Sequence, residues 1–161
     1  MLAKAPGKIG KPFSFAAMIL IAQAAWANPV GDLAGRWSGW GSIVMDSGAS
    51  EQVRCVVTYA FKDGGSALNQ NMRCASASLK IDATAKLTIA SGQVVGSWEE
   101  AMTSATGSVS GRVTPEGINL SIHGPTFTAA MAVVTSACKQ SINIAPHGLE
   151  VSRISIGLGK C

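Results

Sequence analysis

Glu99 and Glu100 are the only adjacent carboxylates in this 161-residue chain, and a carboxylate pair is what general acid–base hydrolysis requires. Neighbours on a strand point to opposite faces, so these two cannot close on one substrate and read as a solvated edge. His123 and His147 are the only histidines. His147 lies between Pro146 and Gly148 in an expected turn. His123 ends an expected strand, facing away from Ile122. Neither has a second ligand at a paired spacing, so no metal site is expected. Serine is plentiful, but no Gly-x-Ser-x-Gly elbow occurs. Gly39-Trp40-Gly41 opens no helix and cannot act as a phosphate loop. The inventory therefore predicts no catalytic residue, no metal and no cofactor. An enzyme ranks third among the functions considered, with His123 its remaining candidate.

The other reactive type is cysteine. Cys55, Cys74, Cys138 and Cys161 are even in number and none sits in a Cys-x-x-Cys spacing, which argues for disulfides in an oxidising compartment. Four cysteines allow three connectivities. The pairs 55–74 and 138–161 are preferred because each joins neighbours across one hairpin. Loops of about 20 residues would contribute about 3 kcal/mol each in the chain-entropy model. Among the aromatics, Trp37, Trp40, Tyr59, Phe61 and Trp98 are the candidate ligand-binding residues, as a pocket wall for a small apolar molecule in a barrel mouth. The competing reading of the same residues is core packing. Trp37 and Trp40 are three positions apart, so one is expected inside and the other outside or rotated by a bulge.

These residues must be positioned by short strands. The hairpin from Glu51 to Ser76 organises the chain. With a Gly64-Gly65 loop, paired positions sum to 129, so Phe61 faces Leu68, Tyr59 faces Gln70, Val57 faces Met72 and Cys55 faces Cys74. Val53, Cys55, Val57, Tyr59, Phe61, Leu68, Met72 and Cys74 then share one face, with Arg54, Thr58, Asn69, Asn71 and Arg73 on the other. A two-residue loop would make 55/74 a hydrogen-bonded pair, whose side chains stand further apart than at alternate sites. Gly35–Met45 reads as a first strand with Trp37, Ile43 and Met45 on one face, and its glycines predict sharp bending or close backbone approach. Turns are expected at Asp46-Ser47-Gly48, Ala90-Ser91-Gly92, Pro115-Glu116-Gly117 and Pro146-His147-Gly148. Thr126–Ala137 is small and apolar on both faces, which predicts a central strand covered on both sides or, alternatively, a partner surface. Turn signals recur roughly every 8–12 residues and no helical period emerges. The fold class is therefore all-β, an antiparallel up-and-down barrel of nine or ten strands, with a sandwich as the alternative.

Residues 1–27 read as a signal peptide. Lys4, Lys8 and Lys11 precede the apolar run 13–22, and Ala25-Trp26-Ala27 offers small residues for a cut after Ala27. The run falls short of the roughly 20 residues of a spanning helix. Residues 28–161 then form a single domain, and no transmembrane segment is expected in it. The chain has 13 basic and 9 acidic residues. Losing three lysines leaves ten basic against nine acidic, and with no basic stripe nucleic acid is not an expected partner. The expected location is periplasmic or extracellular.

Leu33-Ala34-Gly35-Arg36-Trp37 resembles the opening of lipocalin-like (calycin) barrels, in which a Gly-x-Trp follows a short turn and starts the first strand. The resemblance implies an exported barrel holding a small hydrophobic ligand. It also implies that the Trp packs at the closed end against a late-strand arginine, a place Arg153 could fill. The family's central Thr-Asp-Tyr motif is missing here. The chain also resembles small secreted bacterial proteins. The leading expectation is a non-catalytic, ligand-binding barrel. The alternative is an envelope interaction module or inhibitor working through the Thr126–Ala137 region or a sheet edge.

Overall fold

The computed structural model describes residues 30–161. The signal peptide expected over residues 1–27, with its cut after Ala27, lies outside the described residues. Ten strands follow a 3-10 turn at Gly31–Leu33: β1 (Gly35–Met45), β2 (Ser50–Lys62), β3 (Ala67–Ala75), β4 (Lys80–Ala90), β5 (Gln93–Glu100), β6 (Ala105–Thr114), β7 (Gly117–His123), β8 (Thr128–Ser136), β9 (Lys139–His147) and β10 (Val151–Gly159). Each pairs antiparallel with the next, and β1 also pairs with β10, so the sheet closes into an up-and-down barrel. Closure excludes the sandwich and leaves no open sheet edge. The alternation in sequence is the cause. Every second side chain enters the barrel, so Val53, Cys55, Val57 and Tyr59 are buried on β2 while Arg54 is exposed.

The close backbone approach expected at the β1 glycines occurs at the seam with β10. Gly39 and Gly41 lie opposite Leu158 and Ile156, and a Cβ on Gly39 would collide with the Gly157 carbonyl. Only glycine permits that approach.

The β2–β3 register is the expected one, Phe61↔Leu68 through Cys55↔Cys74. The loop is not. Lys62 pairs with Ala67, leaving four residues, Asp63–Ser66, around a 3-10 turn in which Gly64 has φ 68°. Two extra residues keep the pairing but reverse the hydrogen-bond phase. The 4.1 Å Cα separation of Cys55 and Cys74 is that of a non-hydrogen-bonded pair, where a disulfide fits more readily. Both preferred disulfides are present, and the second, Cys138–Cys161, ties the chain two residues beyond β10 to the β8–β9 turn.

Two further expectations change. The turn placed at Pro146-His147-Gly148 shifts to residues 148–150, because β9 runs through Pro146 to His147. The β9–β10 ladder ends at Ile144, so only β8 flanks the proline that lacks an N–H. The strand expected to be covered on both sides, β8, is buried on one face only. Ala129, Met131 and Val133 face inward, while Ala130 and Val134 are exposed. A single-layer barrel has no second sheet to cover its outside.

One end of the barrel is closed. The 3-10 turn folds across it, Leu33 and Trp37 are fully buried, and Trp37 Nε1 donates to the Leu33 carbonyl at 2.8 Å. Arg153 does not pack there; it sits on β10 near Val44, exposed on the outer face. Lys160 takes the place instead. Its Nζ lies 4.7 Å from the Trp37 ring centre and donates to the carbonyls of Asp32 (2.8 Å) and Ala34 (3.2 Å).

Candidate functional site

Small inward residues decide where the barrel is hollow. In its open half Ala83 and Ala85 on β4 and Ala129 on β8 line the interior and leave space that larger side chains fill at the closed end. The result is an apolar cavity of about 270 Å³, walled by β3–β10 and the loops at that end. Met72 and Met131 contribute deformable walls, and Ile81, Ile122 and Ile144 stiff ones.

Two aromatic rings form the wall near the mouth. Trp98 lies against Gly107, where a Cβ would strike its indole, and its Nε1 donates to the His123 carbonyl at 3.1 Å. Phe127 lies against Gly124 in the same way, with its ring centre 5.6 Å from that of Trp98. Leu149, 41% exposed, and Pro146 complete that side.

The wall carries few polar groups. The Gln70 side chain makes no hydrogen bond to any other described residue and is left to face the cavity. Glu100 is the only ionisable side chain in the lining. Its Oε1 accepts from the Asp82 N–H at 3.0 Å, and its Oε2 from the Thr103 N–H and Oγ1, each at 2.8 Å. Desolvation pushes its carboxyl up, but those hydrogen bonds outweigh it and hold it below the usual carboxylate range. Glu99 faces outward, as expected, and accepts from Thr84 Oγ1 at 3.1 Å. Among the described residues no three His, Cys, Asp or Glu side chains gather into a metal-binding group.

The aromatic residues singled out from sequence do not converge. Trp98 alone borders the cavity. Trp37 and Tyr59 belong to the closed-end core, and Phe61 is half-buried on that side. Trp40 points outward, 62% exposed, with the Arg54 guanidinium 5.8 Å from its ring centre. Sequence reasoning missed Phe127, Gln70 and Glu100 as lining residues. The signal for Phe127 was a lone aromatic after Gly124-Pro125. For Glu100 it was the inward parity shared with Trp98.

Tyr59 heads a buried polar chain: its hydroxyl donates to Gln140 Oε1 at 3.1 Å, and Gln140 Nε2 donates to Thr135 Oγ1 at 3.2 Å. Burial raises the Tyr59 pKa above its ordinary value, only partly offset by Gln140. The unfolded chain therefore ionises first as pH climbs. Stability from this group is intact below pH ~10 and should fall above it by roughly 1.4 kcal/mol per pH unit until the folded phenol ionises. Tyr59 is the chain's sole tyrosine, so phenolate absorbance during alkaline unfolding should rise in step with loss of β circular dichroism rather than before it.

A larger hollow of about 870 Å³ lies on the outside, where β6–β9 present Ser110, Arg112, Asn119, Ser121, Ala132 and Asn143. It is an open saddle of small polar side chains, not an enclosure.

No family model matches the chain, and no curated protein matches it in sequence. Its fold is similar to that of Rv2717c from M. tuberculosis, with a TM-score of 0.67 and 15% identity over 86% of this chain and 98% of that one. It is also similar to the S-type phycobiliprotein lyase CPES from Guillardia theta, with a TM-score of 0.57 and 11% identity over 80% and 88% of the two chains. At these identities the likeness is one of fold, and it accords with the closed antiparallel barrel seen here.

Proposed function

We propose that this chain is an exported, non-catalytic barrel that binds one small, mainly apolar molecule in its open half. The observation that carries this reading is the half-open cavity of about 270 Å³, close to the lower limit (~300 Å³) of ordinary ligand pockets and almost wholly apolar. Gln70 supplies one polar contact to orient the ligand. The fold likeness to a phycobiliprotein lyase supports a small-molecule site in such a barrel. Two disulfides, and no described helix long and apolar enough to cross a membrane, suit an exported protein. Against catalysis stands the lining itself, in which Glu100 is the one titratable side chain.

The ligand should contact Trp98. Titration with 1-octanol is expected to saturate at one site, shift tryptophan emission and raise the melting temperature. The emission shift should disappear in Trp98→Phe while the thermal stabilisation remains. Unchanged melting across the titration would overturn the reading.

A second reading has its own observation. Trp40 and Val134, 62% and 40% exposed, lie on one outer row, separated by Ser141 on β9 and Gly157 on β10. That low floor between two apolar groups suits a partner protein of the envelope.

A further inference from the structure

We propose that the molecule held in the cavity is a cationic amphiphile, a protonated amine on a compact apolar body, with its ammonium group at the Glu100 carboxylate. This deepens the ligand-binding reading and rests on it. The cavity wall contains one charge, and it is negative. Its protein partners are all neutral: the Asp82 N–H on Oε1, and the Thr103 N–H and hydroxyl on Oε2. No Lys or Arg pairs with it; among the described residues the single ion pair is Arg73–Asp82 at 3.2 Å. Oε1 accepts one such bond and keeps a lone pair for another donor, since a carboxylate oxygen accepts two. A ligand that brought its own carboxylate would meet the like charge of Glu100 and be disfavoured. One that brought an ammonium would gain a charge-assisted hydrogen bond.

The surroundings agree. Asp46, Glu51, Asp82, Glu99 and Glu150 sit on loops or strand ends at the open end. Of the cations there, Arg73 is tied to Asp82 and Arg54 lies beside Trp40, which leaves Lys80 and Arg153. Lys62, Lys139 and Lys160 are at the opposite end. The field at the mouth therefore draws cations in. Trp98 and Phe127 border the same cavity, and an aromatic face offered to the ligand favours a cation over an anion.

The test compares n-octylamine, 1-octanol and octanoate, three ligands of one chain length, by calorimetry at neutral pH. The amine is expected to bind about threefold to fivefold tighter than the alcohol, and octanoate weaker than both. Glu100→Gln should erase the amine's advantage and leave alcohol affinity within about twofold, while Glu99→Gln, on the outer face, should change neither. Equal affinity for amine and alcohol in the unaltered protein would overturn the proposal, a comparison that stands even where Glu100→Gln does not fold. An advantage that survives Glu100→Gln would overturn it as well. If none of the three binds, the ligand cavity itself falls, a failure distinct from loss of charge preference alone.

Discussion

Trp37→Ala is expected to lower the free energy of unfolding by about 4 kcal/mol, the loss typical of truncating a buried tryptophan. Trp37 is fully buried and joins three parts of the closed end. Its ring fills the core, its Nε1 holds the Leu33 carbonyl at 2.8 Å, and its π face lies 4.7 Å from Lys160 Nζ. Alanine empties the site, orphans a buried carbonyl and leaves the Lys160 ammonium over a void. A domain of this size is stable by only about 5–15 kcal/mol, so the change consumes a large share. Urea denaturation checks it: the midpoint should drop with the slope unchanged. Trp37→Phe keeps most of the packing and removes the hydrogen bond, and should cost about 1–2 kcal/mol. Equal losses in both variants would mean that the carbonyl contact, not the filled volume, holds the end together.

The second large effect is on binding. Ala83→Phe should weaken binding of 1-octanol by about 100-fold or more, equivalent to about 2.7 kcal/mol, while leaving the fold intact. Ala83 faces inward between Met72 and Glu100 and lines the cavity. A phenyl group there occupies space that is already empty, so the usual strain of an overpacked core is avoided and stability should hold or rise. Calorimetry and a melting curve on the same sample read both quantities. Undiminished affinity would place the ligand elsewhere, with the outer saddle around Arg112 and Asn119 the next place to look.

Much of the barrel was legible because strand parity is a local property. The hairpin register, both disulfides and the inward face of β1 follow from period-2 alternation and turn residues within a short stretch of chain. The cavity was not legible for the opposite reason. Its walls come from eight strands, and emptiness arises where small residues of different strands, such as Ala83 and Ala129, border the same hollow. Large aromatics drew attention instead, yet Trp37 and Tyr59 fill the closed end and Trp40 stands outside. Glu100 was misjudged as a solvated edge because nothing local reveals that its inward side opens onto a hollow. The lysine over Trp37 is more than 120 residues from it in sequence, and an arginine at the wrong strand position looked like the better candidate.

The seam between β1 and β10 has a kinetic consequence. Ser38 contacts Gly159 there, so the two ends of the domain must meet before any sheet edge is protected. Hairpins such as β2–β3 can assemble early, but closure across nearly the whole polypeptide carries a high loop-closure entropy and should set a slow final phase. Until then both terminal strands expose unpaired backbone, and the Cys138–Cys161 bond, which joins the β8–β9 turn to the chain beyond β10, braces the β10 side of that seam without crossing it.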